Sequence, residues 1–193
     1  SIDQKAHSAN PRSTVATITE IYDYLRVLFA RVGHPHCPTC DRRIQKLSNA
    51  EMVDVAMQRI EGEKKGELQI LSPVVRGRKG EYYQLLYDLY NSGFARVRID
   101  GKEHRLDQKI ELARYHQHTI DLIVDTVPLA AFATNPIETR QRLSEAIETA
   151  IVHGNDAVLL HYPNGDEQLL SAKFSCPDDG FSFPEIEPRL FSF

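Results

Sequence analysis

The sequence predicts an α+β fold: an antiparallel sheet with about three covering helices, inserted at a base of cysteine-bearing turns next to a helical arm. Two hairpins and a set of capped helices lead there. Asn164-Gly165 separates the apolar runs Ala157 to Tyr162 and Gln168 to Phe174, a strong short-range hairpin signal. Asp100-Gly101 likewise divides Phe94 to Ile99 from Glu103 to Leu106. Around these strands lie segments whose apolar residues recur at three- and four-residue spacing, several behind recognisable caps.

In chain order, Ser1 to Pro11 is polar and without period, and reads as extended chain belonging to something larger. Thr17 to Glu20 has capping-box form ahead of Ile21, Leu25, Leu28 and Val32, which predicts a helix up to Gly33 with a start as early as Ser13. Ser48 and Glu51 form a second capping box, opening a helix through Met52, Val55, Ala56 and Ile60 that Gly62 stops. Leu68 to Val75 reads as a strand broken by Pro73, followed by a basic turn over Arg76 to Gly80. Glu81 to Asn91 is a helix with Leu85, Leu86 and Leu89 inward and Gly93 past its end. Alternation then places Arg96 and Arg98 on one side of a strand and Val97 and Ile99 on the other. His118 to Val127 is a strand with Ile120, Leu122 and Val124 on one side. Asn135-Pro136 opens a helix through Leu143, Ile147 and Ile151 that ends before Gly154.

Composition bounds the function. At 193 residues and 41% hydrophobic content the chain can bury a core, and no apolar run approaches the ~18 residues of a membrane span. A formal charge of -4 argues against gripping nucleic acid over the whole surface. The charge is uneven: residues 1–46 are net positive and the remainder net negative. Nothing resembles a signal peptide, which points to a reducing, cytoplasmic setting.

All three cysteines fall in two matching turns, Cys37-Pro38-Thr39-Cys40 and Cys176-Pro177-Asp178-Asp179. Each turn presents two donors, and two turns make the tetrahedral set of a structural zinc site: Cys37, Cys40, Cys176 and Asp179. Asp179 is a weaker ligand than a thiolate, and His34 and His36 are rival donors. Buried cysteines acting as small hydrophobes are the competing reading. The pair of turns would clasp residues 47–174 as an inserted domain, with 1–46 and 175–193 as its flanks.

No motif supports an autonomous enzyme. There is no G-x-x-x-x-G-K-[ST] phosphate loop, G-x-S-x-G elbow or H-E-x-x-H metal site. The eight histidines are scattered, and His116 and His118 read as surface or structural.

Three stretches carry a family resemblance: Ser1-Ile2-Asp3-Gln4-Lys5; Asn10-Pro11-Arg12-Ser13-Thr14-Val15 running on through Thr19-Glu20-Ile21-Tyr22-Asp23-Tyr24-Leu25-Arg26 and Leu28-Phe29-Ala30-Arg31-Val32-Gly33; and Glu187-Pro188-Arg189-Leu190-Phe191-Ser192-Phe193. Between them Ser72-Pro73-Val74-Val75, Lys79-Gly80 and Val97-Arg98-Ile99-Asp100-Gly101 follow in the same order. The chain thereby resembles the UvrA family, the damage-sensing ATPase subunits of bacterial excinucleases. The resemblance implies an internal piece of a longer protein in nucleotide excision repair, with nucleotide motifs on either side, so that ATP and DNA belong to the full-length protein. It implies that Gln4 stands in the Q-loop at the start of a signature domain. It implies that the region between the cysteine turns recruits UvrB, and that the transcription-repair coupling factor uses it too. The turns fit a family habit of zinc at the base of an inserted domain, with Asp179 where a cysteine is usual. A zinc-containing module that contacts DNA is the alternative function.

A reversible interface favours exposed charge. Arg96 and Arg98 are the first candidates for it, extended by Arg76, Arg78 and Lys79, since arginine's fork suits carboxylate partners. Tyr83, Tyr87 and Tyr90, at i, i+4 and i+7, are expected to pack in the core, leaving Tyr82 as the exposed ring.

Overall fold

The computed structural model describes residues 21–41, 43–63, 65–174, 176 and 186–191. The chain separates into two units, Ser1–Ile44 with Phe183–Phe193, and Gln45–Ser182.

In the first unit, helix α1 (Ile21–Val32) ends where Gly33 N–H donates to the Phe29 carbonyl. Tyr22 donates its hydroxyl proton to the Phe191 carbonyl at 2.6 Å, and the Phe29 and Phe191 rings lie 6.0 Å apart. These two contacts tie α1 to the 3-10 turn Pro188–Phe191. The apolar repeat Ile21, Leu28 and Val32 is exposed rather than buried. Thr17 to Glu20, the expected cap, lies outside the described residues.

The second unit is a six-stranded sheet in the order β3-β2-β4-β1-β5-β6, every neighbouring pair antiparallel. Its strands are β1 (Glu67–Lys79), β2 (Arg96–Ile99), β3 (Lys102–Arg105), β4 (Gln117–Pro128), β5 (Ala157–His161) and β6 (Glu167–Ser171). Four helices join them: α2 (Asn49–Arg59), α3 (Tyr83–Asn91), α4 (Leu129–Thr134) and α5 (Pro136–His153). The capping box opening α2 is present in both halves: Glu51 N–H donates to Ser48 Oγ at 3.3 Å and Ser48 N–H to Glu51 Oε2 at 2.7 Å. The Asp100-Gly101 turn has positive φ at both residues, 51° and 82°, as a two-residue hairpin turn requires.

One side of the sheet is covered. Met52, Val53 and Ala56 of α2 and Leu143, Ala146, Ile147 and Ala150 of α5 pack on Leu68 and Ile70 of β1 and Val158 and Leu160 of β5. Leu86 and Leu89 of α3 pack on Val97 and Ile99 of β2 and Ile120 and Leu122 of β4. Each of the larger aliphatic side chains, fully buried, contributes about 1.5–3 kcal/mol.

Three expectations are corrected. Pro73 does not break β1, which continues to Lys79, so Arg76 to Lys79 are strand and not turn. The β5 ladder stops at Leu71, leaving one edge of β1 unpaired at Pro73, and register shifts beside it absorb the irregularity. Tyr83, Tyr87 and Tyr90 are exposed by 68%, 51% and 47%, while Tyr82 is half-buried. The aliphatic stripe of α3 takes the core, and the tyrosine stripe points away. Tyr82 precedes the helix with φ 50°, its hydroxyl donating to the Lys79 carbonyl and its ring edge-on to His118. Finally, α4 adds a helix beyond those the pattern predicts, being a single apolar turn and a half of Leu129-Ala130-Ala131-Phe132-Ala133-Thr134 without caps.

Candidate functional site

Strand pleating sends Arg96, Arg98, Asp121 and Ile123 to the side of the sheet that the helices leave open, opposite Val97, Ile99, Ile120 and Leu122. Register fixes the neighbours: Arg98 pairs with Asp121, Ile123 with Leu71, Leu71 with Leu159 and Leu159 with Leu169. Leu71, Ile123 and Leu159 form a buried apolar strip on this side, flanked by Leu169.

Charged groups sit around that strip. Asp121, only 2% exposed, accepts from Arg98 Nη2 at 2.8 Å and Nε at 3.2 Å, and its other oxygen lies 3.2 Å from Arg76 Nη2. Arg98 reaches on to Glu167, which in turn lies 3.2 Å from His161 Nδ1. The chain Arg76, Asp121, Arg98, Glu167, His161 therefore draws on every strand of the sheet except β3. Burial pushes the Asp121 carboxyl up, against the pull of Arg76 and Arg98. Burial works against the Arg98 charge, but its bonds to Asp121 and Glu167 outweigh this and hold its pKa above the ordinary value.

Arg96 is held more loosely. It reaches Glu103 at 3.3 Å and Thr126 Oγ1 at 3.1 Å with its side chain 44% exposed, against 12% for Arg98. Glu103 also accepts from Gln69 Nε2 at 2.8 Å. The face thus has a fixed ionic frame with one accessible guanidinium at its β2 side. Arg78 and Lys79 are exposed at the far end of β1.

The sequence places Arg96 and Arg98 on one face and Arg76 in an adjacent turn, whereas Arg76 reaches that face from β1; it misses their acidic partners. Asp121, an acid between Ile120 and Leu122, is the available signal. Glu167 and His161 become neighbours of Arg98 only through the strand order, which no local pattern encodes.

In the first unit, Cys37 to Cys40 form a tight turn. The Sγ atoms of Cys37 and Cys40 lie within 4.8 Å of each other, Thr39 N–H points to Cys37 Sγ at 3.4 Å, and Asp41 N–H donates to the Cys37 carbonyl. Two sulfurs on one tetrahedral zinc stand roughly 3.8 Å apart for ~2.3 Å bonds, so this pair fits a metal. Cys37 is buried and Cys40 exposed; Cys176, in the second unit, is buried. The rival histidines are engaged elsewhere: Arg43 donates to His34 Nδ1 at 2.8 Å, and His36 Nδ1 lies 2.8 Å from the Asp41 carbonyl. Asp179 and Gln4 lie outside the described residues.

Residues 48–164 match the family model of the UvrA interaction domain. This chain belongs to the UvrA family. It is 47% identical over 196 residues to UvrABC system protein A of Thermus thermophilus, and 45% identical over 194 residues to that of Neisseria gonorrhoeae. A relative of the same name from Methanothermobacter thermautotrophicus is 45% identical over 196 residues. All of this chain is covered in each case, and it spans 20% of each relative's length, so it corresponds to an internal region of UvrA. The matched segment contains Arg76, Arg96, Arg98 and Asp121, and excludes Cys37, Cys40 and Cys176. Among the described residues no helix is long and apolar enough to cross a membrane.

Proposed function

We propose that this chain is the partner-recruiting region of a damage-recognition ATPase in nucleotide excision repair, and that its open sheet face receives UvrB. The observation that carries the reading is the ionic frame from Arg76 to His161, whose members other than Glu167 lie inside the segment that matches an interaction domain and which leaves Arg96 accessible. A frame already paired loses little entropy on binding, and an exposed guanidinium beside it sets association rate and orientation. The transcription-repair coupling factor is proposed to use the same domain. ATP binding, with Gln4 in the Q-loop, and DNA binding are assigned to the longer protein, and the catalytic steps to regions outside this chain.

Zinc is proposed as the structural ion of the cysteine turns, held by Cys37, Cys40 and Cys176 with Asp179 as fourth ligand. Bound there it would supply cross-linking and no chemistry. The donor chemistry and the spacing of the Cys37 and Cys40 sulfurs support this.

Calorimetric titration of the folded chain with purified UvrB tests the reading. Saturable binding that weakens with salt is expected; no heat and no complex by gel filtration would remove it.

A further inference from the structure

The outward side of α3 departs from what a solvated helix needs. From Gly80 to Ala95 the chain carries Tyr82, Tyr83, Tyr87 and Tyr90 with the carboxylates Glu81 and Asp88, and no lysine, arginine or histidine. Leu86 and Leu89 are the buried residues of this helix, so packing on the sheet asks nothing of the other side. Solvent there favours glutamate, lysine or glutamine, which are also better helix formers than tyrosine. Tyr83, Tyr87 and Tyr90 nevertheless form an exposed ridge, with the Tyr83 and Tyr87 rings stacked at 6.3 Å and 11° between planes. Beside the ridge, the Asp88 carboxylate is fixed by a 2.8 Å hydrogen bond from Gln84 Nε2.

We propose that this ridge is a second docking surface, whose partner is a protein segment bearing arginine or lysine. Aromatic faces attract cations, tyrosine among the better of them, and Asp88 and Glu81 add the matching charge. No basic side chain between Gly80 and Ala95 opposes a cationic partner, and Arg105, which lines the cavity beside Tyr90, is paired with Asp107. A nucleic acid finds the reverse, since single strands need a positive groove alongside the stacking rings. Because α3 packs on Val97 and Ile99 while Arg96 and Arg98 project from the other side of β2, the ridge and the arginine face are on opposite sides of one sheet. The inference does not rest on the UvrB reading.

The test is fluorescence anisotropy of the whole chain with a labelled alanine-based helical peptide carrying arginine at i, i+4 and i+7, run beside the same peptide with glutamate and beside a short oligodeoxythymidine. Saturable binding of the arginine peptide alone is expected. Combined Tyr83→Gln, Tyr87→Gln and Tyr90→Gln should weaken it by roughly tenfold or more, with circular dichroism unchanged. The corresponding three phenylalanine substitutions should retain it, because the ring faces remain, and Arg96→Glu should leave it unaltered. The proposal is overturned by equal binding in the glutamine variant, by no binding of the arginine peptide, by preference for the glutamate peptide or the oligonucleotide, or by ridge-dependent self-association in sedimentation.

Discussion

His118, buried, and Asp100, exposed, form a clamp: Nδ1 of the imidazole lies 2.8 Å from Asp100 Oδ2, and Nε2 lies 3.0 Å from the Ala113 carbonyl. A neutral imidazole has one N–H, so satisfying both acceptors requires the protonated ring. Asp100 Oδ1 is meanwhile fixed by Thr119 N–H at 2.8 Å. The clamp joins the β2–β3 turn to the start of β4 and to the segment before it. Tyr82 meets the ring edge-on, and His104 is the other titratable neighbour of Asp100.

Stability should follow this proton. The Asp100 bond, then the Ala113 bond, raise the His118 pKa above its ordinary value. Its contribution is therefore complete below about pH 6.5, its unfolded value, and fades as pH rises through the folded one. Burial pushes Asp100 up, but bonds from His118 and Thr119 outweigh it and leave its pKa lowered. That contribution is present above about pH 3.9 and fades as pH falls through the folded value. Resistance to urea should accordingly be greatest between roughly pH 4 and 6.5. His118→Gln should cost about 1–2 kcal/mol at pH 6 and flatten the alkaline decline; an alkaline limb of unchanged slope in the variant contradicts the clamp.

Two glycines separate steric from conformational cost. A Cβ on Gly154 would stand 2.5 Å from the Ala157 carbonyl oxygen, 2.7 Å from Pro73 Cδ and 2.8 Å from Ser72 Oγ. Ser72 is itself bonded to the Ala150 carbonyl at 2.8 Å, so the neighbour has little room to move. Gly154→Ala should cost about 2–3 kcal/mol. At Gly165, φ is 86° and nothing lies within 4 Å, so alanine meets only the left-handed backbone penalty of about 1–2 kcal/mol. Equal losses in thermal unfolding would show that α5 does not close on β1 as described.

What was legible in the sequence was local. Ser48 with Glu51, and Asp100 with Gly101, write their structures within a few residues, and both are present as read. Tyr83, Tyr87 and Tyr90 mislead because they share helical spacing with the aliphatic stripe. Only packing on Val97 and Ile99 of the sheet decides which stripe turns inward, and it selects Leu86 and Leu89. Alternation places Arg98 on the correct side of β2, yet its burial depends on Glu167 from the strand at the opposite edge. Side-chain parity is encoded along a strand, whereas strand order is a property of the whole chain.

Metal analysis of freshly purified protein should find about one zinc per chain, and Cys176→Ser should abolish it. Chelation should loosen the Cys37 to Cys40 turn, read as increased thiol reactivity, before it lowers the unfolding temperature of the sheet. Zero metal would return Cys37 and Cys176 to the role of small buried hydrophobes.

The two arginines of β2 should separate in experiment, although the sequence makes them equivalent. Arg98 is 12% exposed and bonded to Asp121 and Glu167. Arg98→Glu would set a third carboxylate among those two with Arg76 alone to balance them, and should cost about 3–5 kcal/mol in urea unfolding. Arg96 is 44% exposed and its pair with Glu103 is a surface one, so Arg96→Glu should cost at most about 1 kcal/mol. If the open face receives UvrB as proposed, Arg96→Glu should nonetheless weaken that complex by about tenfold at low salt and less at high salt. Retained affinity in the folded Arg96 variant would discard this face. A fully stable Arg98 variant would instead show that the buried frame beneath it is not formed in solution.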